Sequence, residues 1–305
     1  MKKICIFGSS GYIGSFLCQY LKKDFNIISH SRKKITNKKF CKNIKNFVYG
    51  DILKPKTIDN VIKLKPDKII YTISLNHFDS EANLQDSIKI NVLPFLYLLE
   101  EIIKKKLNIE IIYFSTMQVY GREYTSRIIN ETNPKNLNNI YALTHSICED
   151  ALLINKQKIK FSILRLSNSF GMPVFPKNNV WWPVVNDICK MAKKKRFIKL
   201  QSDGSPQRDF ISLNTIASFI KKLLNNENKK NNIINLCSGK TFTILEIAKK
   251  VANNPFFLKS IPIIKKKTSK NKIKKFNYDN RIMKKFLEKN NFNIQEEISN
   301  FLAKI

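Results

Sequence analysis

Three glycines at a fixed spacing are the first residues of this 305-residue chain with recognisable chemistry. Gly8-Ser9-Ser10-Gly11-Tyr12-Ile13-Gly14 reads G-x-x-G-x-x-G, directly after the apolar run Lys3–Phe7 and at the head of a helix-like stretch, Gly11–Lys22. Gly8 lets the chain turn off a strand, Gly11 lets backbone approach a pyrophosphate, and Gly14 lets a helix pack against the sheet. The helix N-terminus then offers free N–H groups and a partial positive charge to phosphate. Gly8, Ser10, Gly11, Tyr12, Ile13 and Gly14 are therefore candidate dinucleotide contacts. The next apolar run ends Ser29-His30-Ser31-Arg32 with no carboxylate to hold the ribose 2′-hydroxyl of NAD. Arg32 can grip a 2′-phosphate with two parallel hydrogen bonds, which makes NADP the preferred cofactor and NAD the alternative. Asp51 and Ile52, after a third run, are candidate contacts for the adenine end.

The elements that must position this loop are legible as alternating patterns. Short β-branched runs at Lys3–Phe7, Phe25–His30, Asn46–Val48, Lys68–Ile73, Glu110–Ser115 and Lys160–Leu166 predict strands. Helical patterns fall between them at Gly11–Lys22, Thr57–Lys65, Gln85–Lys105 and Tyr141–Asn155. Strands alternating with helices of this length mean βαβ units and a parallel sheet, apolar on both faces. The expected fold is α/β: a Rossmann doubly wound sheet over residues 1–170, then a smaller α/β domain, mainly for substrate, over 171–305. The boundary is soft, because Ile233–Leu236 is one more strand-like run that can return to the main sheet.

Composition narrows the classes. The net charge is +32, but the lysines lie in pairs and triples along the whole chain, as at Lys33-Lys34, Lys104–Lys106 and Lys193–Lys195. No nucleic-acid module accompanies them, so a solvated lysine surface that attracts anionic ligands is expected rather than a nucleic-acid site. Six cysteines form no C-x-x-C pair and no metal-ligand spacing, which predicts small buried hydrophobes in a reducing compartment and no metal. No apolar run reaches membrane-spanning length. The glycines interrupt what would otherwise pass for a signal peptide, so a cytoplasmic location is expected.

Four further segments follow in order: Phe114-Ser115-Thr116-Met117-Gln118-Val119-Tyr120-Gly121, Leu164-Arg165-Leu166-Ser167-Asn168-Ser169-Phe170-Gly171, Gly204-Ser205-Pro206-Gln207-Arg208-Asp209-Phe210-Ile211 and Asn235-Leu236-Cys237-Ser238-Gly239. With the glycine loop, they make the chain resemble the extended short-chain dehydrogenase/reductases, the nucleotide-sugar epimerases, dehydratases and reductases, over nearly its full length. The resemblance implies that Tyr141 is the acid/base exchanging a proton with a sugar oxygen while hydride moves at nicotinamide. Thr116 would bond the same oxygen, Asn168 and Arg208 would hold the substrate diphosphate, and Asn91 would add a polar contact near cofactor or substrate. That family carries Y-x-x-x-K; here the segment is Tyr141-Ala142-Leu143-Thr144-His145. His145 shares a helix face with Tyr141. It would bond the nicotinamide ribose and, at an ordinary pKa of roughly 6.5, give a pH–rate limb there as it charges. The related 4,6-dehydratases carry Asp-Glu after the threonine, whereas this chain has Met117-Gln118. The expected activity is therefore keto-sugar-nucleotide reduction or 4-epimerisation for surface polysaccharide. A catalytically impaired dinucleotide-binding sensor or scaffold is the second reading, and a nucleic-acid binder the third. The apolar stripes Leu93, Leu96, Leu99 and Ile147, Ala151, Ile154 predict a homodimer through Gln85–Lys105 and Tyr141–Asn155.

Overall fold

The computed structural model describes residues 1–121, 127–177, 181–226, 231–266, 275–287 and 292–305. The chain runs β1 (Lys3–Phe7), α1 (Tyr12–Leu21), β2 (Asn26–Ser31), β3 (Asn46–Tyr49), α2 (Pro55–Lys63), β4 (Lys68–Tyr71), α3 (Leu93–Lys104), β5 (Glu110–Thr116), α4 (Ile140–Ile154) and β6 (Phe161–Leu166). It continues with β7 (Asn168–Phe170), α5 (Val184–Lys195), β8 (Gln207–Ser212), α6 (Leu213–Asn225), β9 (Asn232–Leu236), β10 (Thr241–Thr243), α7 (Ile244–Ala252) and α8 (Ile294–Lys304). Shorter elements are named below where they matter.

The apolar runs become a seven-stranded sheet in the order β9-β6-β5-β4-β1-β2-β3. Every pairing from β3 to β6 is parallel. The chain winds outwards from β1 in one direction and from β4 in the other, so the order reverses between these two strands, where α/β sheets open a crevice at their carboxyl ends. Strand residues Cys5, Phe7, Ile69, Tyr71, Ile111, Tyr113 and Ile163 meet Ile58 and Val61 of α2, Phe95, Leu98 and Ile102 of α3, and Leu152 of α4 in one core cluster. All six cysteines are free, and all but Cys41 are buried, as expected of small hydrophobes.

The predicted helix Gln85–Lys105 is broken into a short α-turn, Leu84–Ser87, a π-helical turn, Ile88–Val92, and α3. Pro94 stands in the first turn of α3 and cannot donate a backbone hydrogen bond to the preceding turn. The ladder shifts by one residue there, and the π-turn aims Asn91 inward.

Two compact units replace the simple division at residue 170. The first is residues 1–123, 132–166 and 224–234; the second is 124–131, 167–223 and 235–305. The sequence boundary misses the short strand Ile128–Ile129, which pairs with Asn277–Tyr278 far along the chain. The run Ile233–Leu236, expected as able to return to the main sheet, falls in β9, the edge strand of that sheet. The second unit holds a three-stranded sheet, β10-β8-β7, and a core of Val185, Ile188 and Cys189 on α5, Ile247 and Val251 on α7, and Ile298, Phe301 and Leu302 on α8.

Candidate active site

The glycine loop leaves β1 at Gly8, whose φ of +85° is a left-handed conformation that side chains resist. Gly11 N donates to Gly8 O at 2.9 Å, closing the turn, and Ser9 is tied to the end of β2 by N and Oγ bonds to the His30 carbonyl at 2.8 and 2.7 Å. A side chain at Gly14 would run into the Gly8 carbonyl, whereas one at Gly11 would meet only that carbonyl, at 3.2 Å. Gly14 is thus a helix–turn contact and Gly11 borders open space. No side chain caps α1. A ten-residue helix whose first N–H groups have no intrahelical partner, beside a glycine that leaves room for phosphate, fits a dinucleotide pyrophosphate.

Arg32 is exposed immediately after β2. Asp51 is half-buried after β3 and accepts a bond from Leu53 N at 3.0 Å. Ile52, expected beside it at the adenine end, has its side chain buried in the sheet–helix core. His30, which precedes this pair of loops, is buried with Nε2 3.2 Å from the Gly50 carbonyl. Burial pushes its pKa down to about 4, against the opposing pull of the Gly50 carbonyl and Asp51.

Thr116 ends β5 and Tyr141 opens α4, after an Asn139 side-chain cap on Ala142 N at 2.7 Å. Thr116 is buried, and its Oγ1 accepts from Gln118 N at 3.2 Å, leaving its own proton to donate. Tyr141 is half-buried, close to Ser74 in the loop that follows β4. Burial pushes the phenol up to about 12, with Ser74 a smaller effect in the opposite direction. The Tyr141 ring meets His145 edge-on at 4.6 Å and His77 at 6.2 Å, and its backbone N–H donates to Glu81 at 3.1 Å.

His145 departs from its expected role. It is only 3% exposed. Its Nδ1 lies 2.9 Å from the Tyr113 hydroxyl and its Nε2 3.3 Å from Ser74 Oγ. Ser74 spends its proton on the Leu75 carbonyl at 2.7 Å, so the network assigns His145 as a neutral Nε2–H donor to Ser74 and an acceptor from Tyr113. Both nitrogens are used, which removes the expected ribose contact. Burial pushes the pKa down to about 3, so the expected titration near 6.5 is displaced below the working range.

Asn91 is likewise corrected. It is 2% exposed, accepts from Leu75 N at 2.7 Å, and donates to Ser80 Oγ at 3.3 Å and Thr144 Oγ1 at 3.0 Å. Its amide is spent on tying the loop after β4 to α4, so it positions the neighbourhood of Tyr141 instead of touching a ligand. One turn beyond His145, the buried Glu149 accepts from Ser115 Oγ at 2.6 Å and from Arg165 Nε and Nη2 at 3.0 and 2.7 Å. The Arg165 guanidinium also lies 4.8 Å over the Tyr120 ring. This group locks β5, α4 and β6 together beneath Thr116 and Tyr141. Sequence reading missed Ser74, Tyr113 and Glu149. Of these only Glu149 carried a signal, an acid on the same helix face as Tyr141 and His145.

In the second unit, Asn168 is exposed on β7 and donates to the Asp209 carbonyl at 3.0 Å. Arg208 is exposed on β8, with Nη1 2.9 Å from the Gln207 carbonyl. Between them in the sheet, the buried Asp209 carboxylate gathers Ser238 N and Oγ, Gly239 N and Lys240 N at 2.8–3.1 Å. Two of the sequence segments, around Arg208 and around Ser238-Gly239, are therefore joined by one carboxylate. Burial pushes that carboxyl up, although these bonds pull it down.

A glycine loop on β1, a switch in strand order between β1 and β4, and a tyrosine site after β4 and β5 define a dinucleotide-binding α/β protein. Residues 4–237 match the NAD dependent epimerase/dehydratase family, and the chain belongs to it. It is 25% identical over 281 residues to a dTDP-D-glucose 4,6-dehydratase of Dictyostelium discoideum, covering 83% of this chain but 62% of that protein. It is 26% identical over 251 residues to a GDP-6-deoxy-D-talose 4-dehydrogenase of Aggregatibacter actinomycetemcomitans, covering 80% and 77% of the two chains. The fold matches the UDP-glucose 4-epimerase of Thermotoga maritima with a TM-score of 0.84 at 18% identity, over 99% of this chain and 97% of the other. Among the described residues no helix is long and apolar enough to cross a membrane.

Proposed function

We propose that this chain is an NAD(P)-dependent enzyme that reduces a keto-sugar nucleotide or epimerises one at C4. The observation that carries the reading is the placement of three site elements at the carboxyl ends of adjacent parallel strands. The glycine loop follows β1, Ser74 with its bond to His145 on the Tyr141 helix follows β4, and Thr116 ends β5. Gly8, Ser10, Gly11, Tyr12, Ile13 and Gly14 would hold the pyrophosphate, Asp51 the adenine end, and Arg32 the 2′-phosphate of NADP. A bound nicotinamide supplies or accepts hydride at the sugar carbon. Tyr141 gives or takes the proton on the sugar oxygen, Thr116 donates a hydrogen bond to the same oxygen, and Asn168 and Arg208 hold the diphosphate of the nucleotide sugar.

Met117 is buried and Gln118 uncharged where a 4,6-dehydratase needs an acid and a base, so elimination of water is not proposed despite the Dictyostelium relative. The test is consumption of NADPH or NADH, and chromatography of products, across a panel of nucleotide sugars. One observation favours a second reading, a dinucleotide-binding sensor or scaffold: the neutral His145 where the family carries lysine. Normal dinucleotide binding with no product from any sugar would select it. The reading includes a cytoplasmic homodimer through α3 and α4, supported by the exposure of Leu93 and Ile154 on their stripes. A monomer mass by light scattering at micromolar concentration would exclude the dimer.

A further inference from the structure

The loop that leaves α7 holds two apolar side chains in solvent on a rigid frame. Asn254 is buried; its Nδ2 donates to Ser299 Oγ of α8 at 2.9 Å, and its Oδ1 accepts from Phe256 N at 3.0 Å. Phe257 N donates to the Asn254 carbonyl at 2.9 Å, and Ile261 N to the Ala252 carbonyl at 3.0 Å. The Phe257 and Ile261 side chains are buried in the core shared with α5 and α8. With Phe257 anchored inward, its two neighbours are turned out: Phe256 is 43% exposed and Leu258 fully so. Single exposed apolar residues are ordinary, but two at one loop tip, fixed outward by hydrogen bonds and a buried anchor, form a presented surface.

Cations surround this tip. The last turn of α5 carries Lys193, Lys194 and Lys195, that of α7 Lys249 and Lys250, and that of α8 Lys304. The acids of the same helices, Asp187, Glu246, Glu296 and Glu297, stand in their first turns. Lys193 Nζ lies 4.8 Å over the Phe256 ring and donates to the Leu302 carbonyl at 3.0 Å, so the ends of α5 and α8 meet at the loop. The Arg196 guanidinium lies 5.5 Å over the Phe257 ring, and Lys259 is exposed beside Leu258. We propose that this tip docks the protein on a membrane surface, with Leu258 and Phe256 entering the headgroup region and the collar of lysines and Arg196 holding the phosphates of anionic lipids. Such a bilayer offers anions to the collar and apolar chains just beneath to the tip. A second copy of this chain would bring like collars together, at a net charge of +32 each. A folded partner would need roughly 800 Å² of matched surface on its side, which a two-residue tip does not offer. No helix crosses the bilayer in this arrangement. Docking does not depend on turnover, so a catalytically inert chain would show it equally.

The test is co-sedimentation of the full chain with phosphatidylcholine vesicles, with and without phosphatidylglycerol. Wild type should bind the anionic vesicles at least about tenfold more tightly than the neutral ones. Phe256→Ser with Leu258→Ser should weaken binding to the anionic vesicles by about tenfold or more while leaving the thermal unfolding curve in place. Lys194→Ala with Lys259→Ala should also cost about tenfold, whereas the same loss of charge at Lys38 and Lys39, away from the tip, should cost less than about twofold. Leu258→Trp should shift its emission to the blue on anionic vesicles and be quenched by brominated acyl chains, relative to wild type. No binding by wild type, undiminished binding by the double serine variant, or equal losses from the two lysine pairs overturns the proposal. So does a dimer mass by light scattering that reverts to monomer in the double serine variant, since a second copy would then cover the tip.

Discussion

Acidification should unfold this protein through two histidines that the fold keeps neutral. His145 is buried with a pKa pushed down to about 3, and His30 with one pushed down to about 4. In the unfolded chain both titrate near roughly 6.5. A depressed folded pKa contributes stability that is fully present above the unfolded value and is lost as pH falls through the folded one. At pH 5 the unfolded histidine is almost fully charged and the folded one is not. With about 1.4 kcal/mol per pH unit, each histidine then costs about 2 kcal/mol relative to neutral pH, and the pair about 4 kcal/mol. That is a large share of a net stability of roughly 5–15 kcal/mol. The assay is equilibrium urea unfolding of wild type and His145→Gln at pH 7.5, 6 and 5. Glutamine keeps a donor for Ser74 but cannot titrate. The variant should be less stable at neutral pH, yet its stability should fall with acid by about 2 kcal/mol less than that of wild type. Identical pH slopes for the two proteins would refute the claim that burial holds His145 neutral.

Two further outcomes follow from side chains with defined surroundings. Arg32→Ala should weaken NADPH by about 1–3 kcal/mol and leave NADH nearly unchanged, as read by fluorescence titration; equal losses would remove the 2′-phosphate assignment. Glu149→Ala strands the buried Arg165 guanidinium and leaves Ser115 without its acceptor, so it should destabilise the fold by about 3–5 kcal/mol in thermal or urea unfolding, and a loss under about 1 kcal/mol would contradict the buried-pair account.

The parts of this molecule that follow from local pattern were legible before any coordinates. Apolar runs such as Ile4-Cys5-Ile6-Phe7 can only be strands covered on both faces, and the spacing of Gly8, Gly11 and Gly14 states a turn, an approach and a packing contact. What local pattern could not supply was tertiary company. The amide of Asn91 reads as a ligand contact until Leu75, Ser80 and Thr144, each distant in sequence, are found to occupy it. His145 reads as a titrating group until β5 and the loop after β4 enclose it. Ser74 carries no signal of its own, because a serine in a loop is unremarkable until the His145 ring lies against it. The pairing of Ile128–Ile129 with Asn277–Tyr278 stayed hidden for the same reason: a two-residue strand has too little pattern to announce its partner.

The central claim is that Tyr141 serves proton transfer while hydride moves between a nicotinamide and a nucleotide sugar. The most direct test incubates the protein with NADPH deuterated on the transferable position and a panel of keto-sugar nucleotides, and follows products by mass spectrometry. The account predicts, for at least one substrate, a nucleotide-sugar product carrying deuterium on carbon, formed by wild type and lost in Tyr141→Phe. Normal NADPH binding with every nucleotide sugar recovered unlabelled and unchanged would contradict it.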